Sequence, residues 1–146
     1  MLQKYCAAQR EELIHTDVAG LVEALSTILP SVDKDALLQS TEMGEHVVES
    51  FREGLKIGAD GWVDDDMAFI NPWGFELSEI KVPILLYQGS VDKMVPFAHG
   101  QWLGNHLPQD ILKKHLIDGQ GHISIFVGQT ESIIDELLAA GQVVLK

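Results

Sequence analysis

The chain has few cysteines, few positive charges and no long apolar runs. Cys6 is its only cysteine, so these residues cannot form an internal disulfide. Lysine and arginine number 10 against 22 aspartates and glutamates, and the formal net charge of −12 disfavours binding to phosphate backbones or anionic lipid. No apolar run approaches the roughly 20 residues of a membrane helix, and the first residues lack the apolar core of a signal peptide. We therefore expect a cytoplasmic protein that binds neither nucleic acid nor membrane.

The rest of the composition is that of an ordinary globular domain. Apolar residues make up 46% of the chain and charged residues 22%, which are average values for such domains.

An acidic cluster near Asp60 and Asp64 lacks the alternating ligands and central glycine of an EF-hand. A helix start is the simpler explanation, because negative charge is favoured there. We expect no metal site.

The first half of the chain has helical apolar spacing. Apolar residues recur every three or four positions between Leu13 and Leu29, and Asp17 stands where an N-cap is expected. Pro30 is predicted to end that helix. Asp33 is then predicted to cap a short helix through Leu38.

Further helical segments follow before the pattern changes. The spacing predicts a helix from Thr41 to Leu55, which Gly58 and Gly61 should end. One short turn is expected over residues 64–70. Residues 1–75 are thus predicted to form a helical region without a sheet.

The second half alternates between strands and helices. Val82–Gly89 is a continuous apolar run typical of a parallel strand, with Pro83 at its start. A helix should run from Pro96 to His106, followed by a weaker strand at Lys113–Asp118 and a final helix from Ile123 to Leu138. This β-α-β-α order predicts an α/β fold in which the two strands are parallel.

One ionisable residue follows each predicted strand. Asp92 comes after the first strand and His122 after the second, at the sheet edge where parallel α/β folds place catalytic groups. Each has a plainer explanation, Asp92 as an acidic turn residue and His122 as a surface histidine. Their joint occurrence favours an acid–histidine pair, in which the histidine moves a proton and the carboxylate orients it. In α/β-hydrolases these two residues follow a nucleophile in the chain.

No nucleophile is evident in the sequence. The 146 residues contain no Gly-x-Ser-x-Gly motif, and no serine stands on a strand-to-helix turn. Ser90 comes nearest because it directly follows a strand, but the second glycine is missing. Cys6 lies in a predicted helix without an acid or histidine arrangement beside it.

Several segments together resemble the carboxyl-terminal half of an α/β-hydrolase of the proline iminopeptidase-like and esterase-like group. The likeness runs from about residue 40 to residue 140. The segments that carry it are Asp60–Phe75, Ile80–Gly89, Asp92, Val95-Pro96 and Gly121-His122.

The resemblance implies a division of the chain and a role for the pair. Residues 1–75 would form the helical cap, and residues 76–146 the last two β/α units of the core. Asp92 and His122 would be the triad acid and histidine. The nucleophile elbow, the oxyanion-hole loop and the first strands have no counterpart here. We expect a truncated hydrolase whose parent enzyme cleaves ester or amide bonds without an organic cofactor, and which is inactive by itself.

Aromatic residues before the first strand are candidates for substrate contact. Trp73 and Phe75 could line an apolar pocket beneath a cap, although aromatic residues are more often core.

The resemblance also implies an unpaired strand edge. In that family the strand at Val82–Gly89 is interior, and one of its neighbours has no counterpart here. An exposed strand edge promotes association, so we expect a homo-oligomer with contacts at Ile84–Tyr87. The alternative to a hydrolase is therefore a non-catalytic, self-associating interaction module.

Overall fold

The computed structural model describes residues 1–144 and divides the chain into two compact units. The first unit comprises Met1–Leu25 and Leu37–Gly74, and the second comprises Ser26–Ala36 together with the chain from Phe75 onward. The boundary predicted for the helical region lies beside the division at Gly74. The segment Ser26–Ala36, expected within that region, belongs to the second unit instead.

The regular elements of the first unit are all helices. Its core contains Leu13, Leu21, Val48 and Leu55, which recur at the predicted apolar spacing. Asp17 caps its helix as expected, because its carboxylate accepts the backbone N–H of Gly20 at 2.9 Å. The helices are α1 Leu2–Leu13, α2 Val18–Ala24, α4 Thr41–Gly54 and α5 Asp60–Ile70, while α3 Ser31–Gln39 runs across the division.

Two predicted helix ends are wrong. Helix α2 ends at Ala24 rather than at Pro30, and turns occupy the residues between them. Pro30 instead directly precedes α3, where its fixed φ and missing N–H suit a helix start. Gly61 lies inside the first turn of α5, where no other atom restricts the space beside its Cα.

The second unit contains the sheet. Strands β1 Ile84–Gly89 and β2 Leu112–Ile117 are parallel. Helix α6 Phe97–His106 connects them and packs on both, so the predicted β-α-β unit and the α/β class are confirmed in the general sense. Short 3-10 turns occur at Leu77–Glu79 and Ser124–Phe126.

The final helix begins later than the sequence predicts. Helix α7 spans Thr130–Val144 rather than starting at Ile123. The chain makes one 3-10 turn and then passes Gly128, whose φ of +70° interrupts any continuous helix. Within residues 1–144, no helix has both the length and the apolar character that crossing a bilayer requires.

Candidate functional site

Asp92 and His122 meet beyond the ends of the two strands. Nδ1 of His122 lies 3.0 Å from Oδ2 of Asp92. Strand β1 ends at Gly89 and β2 at Ile117, so parallel neighbours bring both loops to one edge of the sheet. The contact expected from the sequence is present, while a catalytic role for it stays a prediction.

The Asp92 carboxylate is fixed by its own turn. Oδ1 accepts the backbone N–H groups of Met94 at 2.8 Å and Val95 at 2.9 Å. The side chain is only 4% exposed. Asp92 is therefore both an acidic turn residue and a partner of the histidine: Oδ1 closes the turn before α6, and Oδ2 contacts His122.

Gln88 supports the same turn from the end of β1. This buried side chain donates its amide hydrogens to the backbone carbonyls of Val95 at 2.8 Å and Pro96 at 3.2 Å. The Asp92 loop is thus held by two side chains at once.

The contact with Asp92 selects the tautomer of His122. An ionised carboxylate only accepts hydrogen bonds, so Nδ1 carries the hydrogen and Nε2 carries the free lone pair. The imidazole is 45% exposed. Within residues 1–144, no hydroxyl group hydrogen-bonds to Nε2. The arrangement places a proton acceptor at the surface.

The two loops are also bonded directly to each other. The backbone N–H of Val91 donates to the Gln120 carbonyl at 3.0 Å. The Ser90 hydroxyl donates to Asp118 at 2.8 Å and accepts the N–H of Gly119 at 2.9 Å. Ser90, the nearest candidate nucleophile in the sequence, therefore joins the two loops.

Sequence reasoning missed the role of Asp33. The predicted cap lies inside α3, and its carboxylate accepts the backbone N–H groups of three consecutive residues, His122, Ile123 and Ser124, at 2.8–3.1 Å. The sequence holds one signal of this. Asp33 is flanked at four-residue spacing by Leu29 and Leu37, and all three are almost completely buried. An acid within an apolar stripe needs a buried partner.

The predicted substrate-binding aromatic residues remain untested. Trp73 and Phe75 are each about half exposed, at 54% and 50%. Trp73 belongs to the first unit and Phe75 to the second. Among residues 1–144, no three histidine, cysteine or acidic side chains are grouped to hold a metal ion.

Comparisons with protein-family models, with curated proteins and with solved structures give no match to this chain. The geometry of Asp92, His122 and the groups that hold them is therefore what points to a function.

Proposed function

We propose that this chain supplies the acid and the histidine of an α/β-hydrolase triad that cleaves an ester or amide bond. The observation that carries the proposal is the 3.0 Å contact between Nδ1 of His122 and Oδ2 of Asp92. Two backbone N–H groups of its own turn, those of Met94 and Val95, donate to this carboxylate and fix it. The parallel β-α-β unit supports it as well, since both residues follow strand ends.

In this proposal, Nε2 of His122 takes the proton of the attacking hydroxyl and returns it to the leaving group. Asp92 holds the imidazole in the required tautomer and stabilises the imidazolium that forms. The sequence has no Gly-x-Ser-x-Gly motif, so the proposal assigns the nucleophile to polypeptide other than these 146 residues. The helical first unit would act as the cap, and Trp73 and Phe75 would contact the substrate.

The test begins with the gene. The reading frame next to this one should encode a strand, a Gly-x-Ser-x-Gly turn and a helix. Co-expression of that segment with this chain should then allow a fluorophosphonate probe to label its serine, whereas this chain alone should not be labelled.

Matched histidine variants make the test specific. His122→Ala should slow labelling of the complex by about 10⁴-fold to 10⁶-fold, the range found when a triad acid or histidine is lost. His99→Ala, which removes an exposed histidine of α6, should have no effect. Labelling that survives His122→Ala, or a neighbouring frame without the motif, would contradict the proposal.

A second candidate function is a non-catalytic, self-associating module. Within residues 1–144, β1 pairs with one strand only, which favours association at its other edge. Concentration-dependent self-association, combined with no serine labelling in any co-expressed complex, would support this alternative.

A further inference from the structure

Asp33 is the one fully buried acidic side chain among residues 1–144. Its Oδ2 accepts the N–H of His122 at 2.8 Å, and its Oδ1 accepts those of Ile123 at 3.1 Å and Ser124 at 2.8 Å. All of these groups lie in the second unit. A buried carboxylate is stable only when its oxygens are paired, and this one is paired entirely with the loop that carries the histidine.

The same loop closes on itself through Ser124. The N–H of Gly121 donates to the Ser124 hydroxyl at 2.8 Å, so four consecutive N–H groups, from Gly121 to Ser124, bond to two side chains. A Cβ at Gly121 would lie 2.5 Å from the carboxyl carbon of Asp33, closer than van der Waals contact permits. Glycine at this position therefore lets the loop approach the carboxylate.

We infer that Asp33 is a positioning residue, which fixes the backbone of His122 so that its imidazole meets Asp92. The inference rests on the proposed function, because it concerns the same acid–histidine pair. The Asp92 carboxylate is fixed by its own turn. It would therefore not move with the imidazole if the backbone of His122 shifted. The 3.0 Å contact is consequently kept only while the backbone of His122 stays in place.

The chemistry of the carboxylate suits this task. Its two oxygens offer about four acceptor sites and no hydrogen, which matches three converging N–H donors. Hydrogen bonds to an ionised acceptor are about twice as strong as neutral ones. An amide in the same place offers one acceptor oxygen, and its NH₂ group would face an N–H donor.

The experiment compares Asp33→Asn with Asp35→Asn in the full chain. Asp35 is an exposed acid on the same helix, so its variant makes the same chemical change without touching the loop. Long-range ¹H–¹⁵N spectra at about pH 8.5, where free imidazole is neutral, show which nitrogen of His122 carries the hydrogen. Amide exchange of His122, Ile123 and Ser124 reports on the anchor itself.

In the unmodified protein we expect the Nδ1–H form and slow exchange at all three amides. Asp33→Asn should accelerate that exchange by about tenfold to a hundredfold, as expected for losing bonds to a charged acceptor. It should also convert His122 to a mixture dominated by the Nε2–H form, which an unconstrained imidazole favours. Asp35→Asn should change neither measurement.

Different results would overturn different claims. Faster exchange without a change of tautomer in Asp33→Asn would leave Asp33 a purely structural anchor and overturn the positioning role. An unmodified protein in the Nε2–H form would contradict the proposed function as well, since Asp92 would then not orient the ring. If Asp33→Asn fails to fold, the tautomer of His122 is measured in Asp33→Glu, which keeps the charge but displaces both oxygens. A shift towards the Nε2–H form would support the inference, and an unchanged Nδ1–H form would overturn it.

Discussion

At the scale of single residues, close approaches of the backbone hold the two loops together. Gly89, the last residue of β1, lies directly against the backbone of Gln120 in the His122 loop. A Cβ at this position would overlap the Gln120 carbonyl oxygen. Because the obstacle is backbone, it cannot move aside as the end of a side chain can.

We expect Gly89→Ala to lower the free energy of unfolding by about 1–3 kcal/mol, the usual cost of overpacking. Gly141→Ala is the matched control. This glycine lies within α7 with no neighbouring atom near an added Cβ, so alanine should raise the free energy by about 0.5–1 kcal/mol. Urea denaturation measures both changes, and a Gly89→Ala protein as stable as the parent would show that the loops are not this close.

Ser90 allows a second prediction at this scale. Ser90→Ala removes the hydroxyl that joins Asp118 to Gly119, which should lower the free energy of unfolding by about 0.5–1.5 kcal/mol per hydrogen bond. Fluorophosphonate labelling of a co-expressed complex should be unchanged. Labelling of this chain itself, abolished by Ser90→Ala, would instead identify Ser90 as the nucleophile.

At the scale of secondary-structure elements, Glu136 of α7 forms hydrogen bonds and ion pairs with both strands of the sheet. Its carboxylate accepts a hydrogen bond from the Tyr87 hydroxyl of β1. From β2, Nζ of Lys113 lies 2.8 Å from Oε1 of Glu136, and Nε2 of His115 lies 2.9 Å from Oε2. The rings of Tyr87 and His115 stack with centroids 4.3 Å apart. One acidic side chain therefore connects a helix with both strands.

These contacts lower the pKa of Glu136 and raise the pKa of Tyr87. Hydrogen bonds from Lys113 and Tyr87 hold the pKa of Glu136 at about 2, below its ordinary 4.5. The hydrogen bond to Glu136, together with burial, raises the pKa of Tyr87 to about 12. The folded state thus favours ionised Glu136 and neutral Tyr87.

The depressed pKa of Glu136 predicts a pH dependence of stability. Glu136 should stabilise the fold fully above pH 4.5 and lose this contribution as the pH falls towards 2, because the unfolded chain binds the proton first. Thermal unfolding should show Glu136→Gln less stable than the parent near neutral pH, with the difference shrinking in that acid range. Asp135→Asn, at an exposed neighbouring position on α7, should show little difference. A constant deficit for Glu136→Gln down to pH 2 would contradict the argument.

At the scale of the whole molecule, the outer edge of β1 determines the expected oligomeric state. The N–H groups of Ile84 and Ser90 donate towards the β2 side of the sheet. Alternate residues of a strand face the same neighbour, so the N–H groups of Leu85 and Tyr87 face the other edge. Within residues 1–144, no second strand pairs there.

We predict a homodimer or larger oligomer that Leu85→Pro weakens. Of the backbone hydrogen-bonding groups, proline removes only an N–H that faces away from β2, so pairing within the chain should persist. Sedimentation at micromolar concentration should show the parent associated and the variant shifted towards monomer, with unchanged circular dichroism. Leu138→Lys, which adds charge at an exposed position of α7, should leave association intact. A monomeric parent, or dissociation by Leu138→Lys alone, would contradict an edge contact.

The sequence by itself determined the features that depend on neighbouring residues. The Asp17 cap, the helix from Thr41, the strand after Pro83 and the helix after Pro96 all follow from local chemistry, and the structure confirms them. The meeting of Asp92 and His122 was also predictable, because the β-α-β rule places the ends of parallel strands at one edge.

Only the tertiary structure decided what Asp33 does. Its local pattern predicted a helix cap, since an acid at the start of an apolar helix ordinarily bonds to its own backbone. In the folded chain its carboxylate instead bonds to amides about 90 positions further along. The spacing of Leu29 and Leu37 indicates that Asp33 is buried, but the backbone groups that it meets depend on how the folded chain brings distant residues together.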